Sequence, residues 1–146
     1  MTQPAAGHGR RMRGAFWTPL AWARRAHELL DAHLGPAWHE DFLVWDPACG
    51  GLNLTRPRAF AQLYASTLHV DEVDPAANPE AAAVFAFDFL NDPLSRLPAG
   101  LLAALRQRRP VVLLANPPYA QATDYEGARK ASVASTSCCV FCRPRR

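Results

Sequence analysis

The sequence predicts an α/β domain in which a parallel β-sheet carries helices on its faces. Three observations lead there. Short apolar runs, FLVW at 42–45, VFAF at 84–87 and VVLLA at 111–115, read as strands buried on both sides. Segments with helical spacing of apolar residues alternate with them. Each run also ends near a polar residue in a following loop, and in parallel sheets ligands sit at the carboxyl ends of the strands.

The elements follow in order. Residues 1–14, rich in Gly, Arg and Ala without period, read as a flexible arm. Thr18 is placed to cap a helix whose first residue is Pro19, and that helix runs through Leu34 to the stop signal Gly35-Pro36. Trp22, Ala26, Leu29, Leu30 and His33 form its apolar stripe. FLVW is the first strand and ends at Asp46. After a loop at 46–53, the spacing of Phe60, Leu63 and Tyr64 predicts a helix over roughly 58–65, followed by a strand near 68–73. VFAF is the next strand, a helix begins near Pro98 with Leu101, Leu102 and Leu105, and VVLLA is the last strand. Asp46, the Glu72 to Asp74 region, Asp88 and Asn116 then fall at strand ends and converge on one rim. Beyond Tyr119 the pattern dissolves, and 126–146 reads as an irregular tail.

Bulk properties set the limits. The 146 residues, 49% of them hydrophobic, suffice for one domain with a real core. A net charge of +3 is too small an excess to argue for nucleic acid by itself. No apolar run approaches the roughly 20 residues of a membrane span, and no apolar stretch follows the N-terminal arginines as a secretory signal requires. A cytoplasmic location is the default expectation. Cys49 stands alone while Cys138, Cys139 and Cys142 crowd the end, which is no disulfide framework. The Cys139 to Cys142 CxxC lacks the second ligand pair of a zinc site, so no metal is expected.

Three motifs carry chemistry. DPACGG at 46–51 puts an acid, a proline and two glycines in the turn after the first strand. A dinucleotide site would show GxGxxG to seat a pyrophosphate, and an acid leading the loop repels phosphate. Asp46 therefore suits a cationic ligand such as S-adenosylmethionine, with its ammonium and sulfonium, although a tight turn capped by an aspartate would read the same way. In EVDP at 72–75, Glu72 and Asp74 share one face of an extended segment, where a carboxylate accepts from ribose hydroxyls; a solvated acidic turn is the rival. NPPY at 116–119 directly follows the last strand. Two prolines hold the preceding residues extended and leave carbonyl groups facing a ligand. The Asn116 side-chain oxygen and the Pro117 carbonyl can then grip the hydrogens of an amine and localise its lone pair. Tyr119 offers a stacking face for a base, and a proline-rich strand exit with a core tyrosine is the bland alternative.

Taken together these residues resemble the amino-methyltransferases that act on adenine in DNA, in the arrangement where the cofactor loop precedes the catalytic loop. FWTP at 16–19 resembles the family's F-x-T-P element, which implies cofactor contacts from Phe16, Thr18 and Pro19. DPACGG is similar to its cofactor loop and implies contacts from Asp46, Pro47, Ala48 and Gly50. EVDP implies Glu72 as the ribose acid, and DFL at 88–90 implies Asp88 at the cofactor adenine with Phe89 against its ring. NPPY matches the catalytic motif and implies Asn116, Pro117, Pro118 and Tyr119 as the catalytic set. The loop departs from the family's D-P-A-C-G-x-G-N in one place. The second glycine stands at Gly51 and Leu52 takes its usual position, so backbone approach to the methionine moiety is expected to suffer.

The resemblance implies a partial Rossmann-like methyltransferase fold, with 15–125 as the N-terminal part of the catalytic domain and the C-terminal strands missing. It implies S-adenosylmethionine as cofactor and double-stranded DNA with a flipped adenine as substrate, with a second chain as one source of the missing strands and of target recognition. The alternative is a non-catalytic remnant or cofactor-binding module. A nicotinamide-dependent oxidoreductase fits the alternation of strands and helices but fails at the glycine loop and leaves NPPY without a role.

Overall fold

The computed structural model describes residues 17–70, 73 and 83–117. The arm at 1–14, the tail at 126–146, and Phe16, Glu72, Asp74, Pro118 and Tyr119 lie outside the described residues. Helix α1 spans Leu20–Leu34 and the short α2 spans Trp38–Asp41. Strands β1 (Leu43–Asp46), β2 (Leu63–Thr67) and β3 (Ala83–Ala86) follow, then a 3-10 turn at Leu94–Arg96, helix α3 (Ala99–Arg106) and strand β4 (Val111–Leu113). The four strands form one sheet in the order β3-β2-β1-β4, and all three pairings are parallel. Among the described residues no helix is long and apolar enough to cross a membrane.

The alternation of side chains along β1 builds the two layers. Val44 faces α1 in a core with Ala23, Trp38, Leu54, Phe60, Leu63 and Leu114. Leu43 and Trp45 face the opposite side, where Leu97, Leu101 and Ala104 of the α3 region pack with Phe87. All four residues of β1 are buried, as expected of a central strand covered on both faces. Gly100 lets α3 pass close to β2, because a Cβ there would collide with the Tyr64 hydroxyl.

Several expectations need correction. The helix expected over 58–65 is absent: residues 47–62 run through turns and bends, and Leu63 and Tyr64 belong to β2. Phe60, Leu63 and Tyr64 have helical spacing, but Leu63 pairs with Val44 and Tyr64 with Trp45, so sheet pairing overrides the local pattern. Phe60 fills the core under α1 from a non-helical segment. The second strand accordingly ends at Thr67, and 68–70 are not strand.

The α1 stripe is also rotated from the expected one. Ala23 and His27 are its buried residues, with Ala26 and Leu30 beside them, whereas Trp22 is 69% exposed and Leu29 46%. His27 belongs to the inward face despite its polarity because its Nε2 hydrogen-bonds the Leu54 carbonyl at 2.9 Å. Trp38 and Phe60 meet its ring edge-on. Thr18 does not cap α1; the N-cap position is Pro19, and the Thr18 side chain is used elsewhere.

Candidate functional site

The strand order makes the site. The chain lays β1, β2 and β3 outward in one direction and then returns to place β4 on the other side of β1. A crevice lies at the carboxyl ends of β1 and β4, the usual ligand position in parallel sheets. Asp46 is the last residue of β1, and Asn116 lies three residues past the end of β4.

A shallow depression of about 20 Å³, open to solvent, occupies this crevice and is lined, among the described residues, by Trp17, Thr18, Asp46, Ala48, Cys49, Gly50, Gly51, Asn53, Leu54 and Asn116. Three distant segments meet in it. Asn116 Nδ2 donates to Thr18 Oγ1 at 2.9 Å, across 98 positions of sequence. Asn53 Nδ2 donates to the Thr18 carbonyl at 3.2 Å. The segment before α1 is thereby tied to both loops.

The loop after β1 brings a side chain of the preceding segment close to its backbone. Gly50 has φ +48°, which a side chain rarely adopts, and the Trp17 indole packs against Gly50 and Gly51. The Cys49 N–H donates to the Ser66 carbonyl at 2.9 Å, which anchors the loop to β2. Leu52 also lies in the left-handed region, at φ +61°, so the backbone at this position keeps a conformation suited to glycine. Its side chain is fully buried beside Cys49, Ala65 and Val73, away from the pocket. The expected loss of backbone approach at position 52 is therefore not a matter of side-chain bulk in the crevice.

Asp46 is 1% exposed. One carboxyl oxygen accepts the Ala48 N–H at 3.1 Å, and the other, Oδ2, is buried without a hydrogen-bond partner. Burial pushes its pKa up to about 7, against the opposing pull of the Ala48 N–H. The neighbouring Cys49 thiol is pushed up to about 12 by burial and by the Asp46 charge, so it is a thiol and not a nucleophilic thiolate at neutral pH. Among the described residues no Lys, Arg or His lines the pocket, and Asp46 Oδ2 has no hydrogen-bond partner.

The sequence-derived site residues divide into groups. Thr18, Asp46, Ala48, Gly50 and Asn116 line the pocket, as do Trp17, Cys49, Gly51, Asn53 and Leu54, which the motifs did not single out as ligands. Trp17 could have been suspected from its place inside FWTP. Pro47 is buried behind the loop, Pro19 starts α1, and Pro117 is exposed beside Asn116. Asp88 lies two residues past β3, and its carboxylate accepts from the Leu90 and Asn91 N–H groups and from Asn91 Nδ2, which closes its own turn. Phe89 packs edge-on against Trp45, with ring centroids 5.3 Å apart. These two residues are thus held by local partners and do not line the pocket. Comparison with protein-family models, with curated proteins and with solved structures finds no match to this chain.

Proposed function

We propose that this chain carries the cofactor and catalytic loops of a Rossmann-like methyltransferase that transfers a methyl group from S-adenosylmethionine to the exocyclic amine of a flipped adenine in DNA. The observation that carries the proposal is the hydrogen bond from Asn116 to Thr18 beside Asp46. It joins the F-x-T-P, D-P-A-C-G and N-P-P segments in one crevice at a topological switch point.

Each residue has a role in this reading. S-adenosylmethionine supplies an activated methyl group. Asp46 holds its positive charge. Asn116 accepts one hydrogen of the target amine through its side-chain oxygen, while Thr18 takes a hydrogen from the amide nitrogen and so sets which edge of the amide turns toward substrate. The Pro117 carbonyl accepts the second amine hydrogen, and Tyr119 stacks on the extruded base for about 1–3 kcal/mol. The non-catalytic cofactor-binding module remains the second reading, favoured by the engagement of Asp88 in its own turn.

Titration calorimetry with S-adenosylmethionine and with NAD tests the cofactor. Binding of the first alone is expected. Asp46→Ala should weaken it at least tenfold, since a charge-assisted hydrogen bond contributes about 1.5–3 kcal/mol. Asn116→Ala should leave cofactor affinity nearly unchanged and abolish methyl transfer to DNA; full transfer in that variant refutes the mechanism. Cofactor binding without methyl transfer by the unaltered chain decides for the binding module.

A further inference from the structure

Among the described residues that line the pocket Asp46 is the only charged one, and it sits at the end of a strand hydrogen-bonded on both sides. Its Oδ1 is engaged by the Ala48 N–H, so the oxygen with capacity left is Oδ2, which is shielded from bulk water. An ionised, unpaired carboxylate in such a position is strongly disfavoured, and a proton or an external cation must answer it. The remaining polar lining groups, Thr18, Asn53, Asn116 and the Cys49 thiol, are neutral at physiological pH, and Cys49 is the titratable group on the pocket wall that senses the Asp46 charge. Across β2, the register partner of Asp46 is Ala65, which brings no charge. The proton is therefore the available counterion until a cationic ligand arrives.

We propose that the pocket is a proton-exchanging receptor for a single positive charge: on the acid side of neutrality Asp46 is a neutral acid in the ligand-free chain, and it surrenders its proton when a sulfonium or ammonium group enters the crevice. The exchange balances, since one neutral carboxyl and one cation become an ion pair and a proton released to solvent. This inference rests on the methyltransferase reading for the identity of the cation but goes beyond it in making cofactor loading dependent on pH. Ligand binding selects the ionised acid, so the apparent affinity is proportional to the fraction of chains already ionised. With Asp46 titrating at about 7 in the free chain, affinity should rise about fivefold from pH 6 to pH 7. That window keeps the α-amino group of the ligand, with a pKa of about 8, charged throughout.

The test is calorimetry of the full chain with S-adenosylmethionine at pH 6 and pH 7, in buffers of different ionisation enthalpy so that released protons are counted. Carbon-13 NMR of the Asp46 carboxyl, with and without ligand, runs beside it. The expected results are release of most of one proton at pH 6, the fivefold gain in affinity, and a carboxyl that is protonated at pH 6 alone and ionised when ligand is bound. Asp46→Asn should remove both the proton release and the pH dependence. S-adenosylhomocysteine, which keeps the ammonium and lacks the sulfonium, identifies the group: release with both ligands assigns the ammonium to Asp46, and release with S-adenosylmethionine alone assigns the sulfonium. Binding that is indifferent to pH, or an Asp46 carboxyl ionised at pH 6 in the free chain, overturns the proton exchange alone. No binding of S-adenosylmethionine at either pH overturns the methyltransferase reading together with it.

Discussion

Leu52 offers a sharp test of how the loop after β1 is held. Its backbone is left-handed at φ +61° while its side chain is fully buried beside Cys49, Ala65 and Val73. Two opposing contributions meet at one residue. The left-handed conformation costs an L-residue roughly 1–2 kcal/mol, and truncating a buried leucine costs roughly 3–5 kcal/mol through lost burial and the cavity left behind. Leu52→Ala loses the burial and keeps the strain, so it should destabilise the chain by about 3–5 kcal/mol. Leu52→Gly also loses the buried Cβ, about 0.8 kcal/mol, but relieves the strain of about 1–2 kcal/mol. Glycine should therefore be the more stable variant by up to about 1 kcal/mol, the reverse of the order expected in a regular element. Urea denaturation followed by tryptophan fluorescence measures both costs, with unchanged slopes confirming that the transition midpoints report stability. An alanine variant as stable as the glycine variant, or more so, would refute the claim that the backbone at 52 is strained. Cofactor affinity should be nearly the same in both, because the side chain faces the core and not the crevice.

Two further outcomes are expected. His27 is buried with its pKa lowered below the usual 6.5, chiefly by desolvation, so the unfolded chain binds the proton more readily and stability falls as pH drops below 6.5. His27→Gln, which keeps a donor for the Leu54 carbonyl but cannot charge, should lose less stability between pH 7.5 and pH 5.5 than the unaltered chain; equal losses in thermal unfolding would contradict this assignment. Strand β4 lies at an edge of the sheet among the described residues, and Leu113 is 57% exposed there, so the chain should self-associate with rising concentration. Leu113→Lys should shift sedimentation toward the monomer, and an identical profile for the two chains would show that the β4 edge is not the contact.

The sequence by itself determined the α/β class, three of the four strands and the motifs that line the crevice. Each of these is a local property. FLVW, VFAF and VVLLA are apolar enough to be strands in any parallel sheet, and DPACGG and NPPY carry their backbone character in glycine and proline. The tertiary structure decided what depended on neighbours. Leu63 and Tyr64 became strand because Val44 and Trp45 offered partners for pairing, which local spacing cannot register. The inward face of α1 fell on Ala23 and His27 because a carbonyl at Leu54 answered the histidine. Asp88 was readable as a strand-end acid, but only its folded turn, with Leu90 and Asn91 as donors, revealed that its carboxylate is already engaged. Asp46 shows the division within one residue: its place at a strand end is legible in the sequence, whereas its raised pKa follows from burial and an unanswered oxygen. Burial is a sum over the whole surrounding structure, and no stretch of sequence contains it.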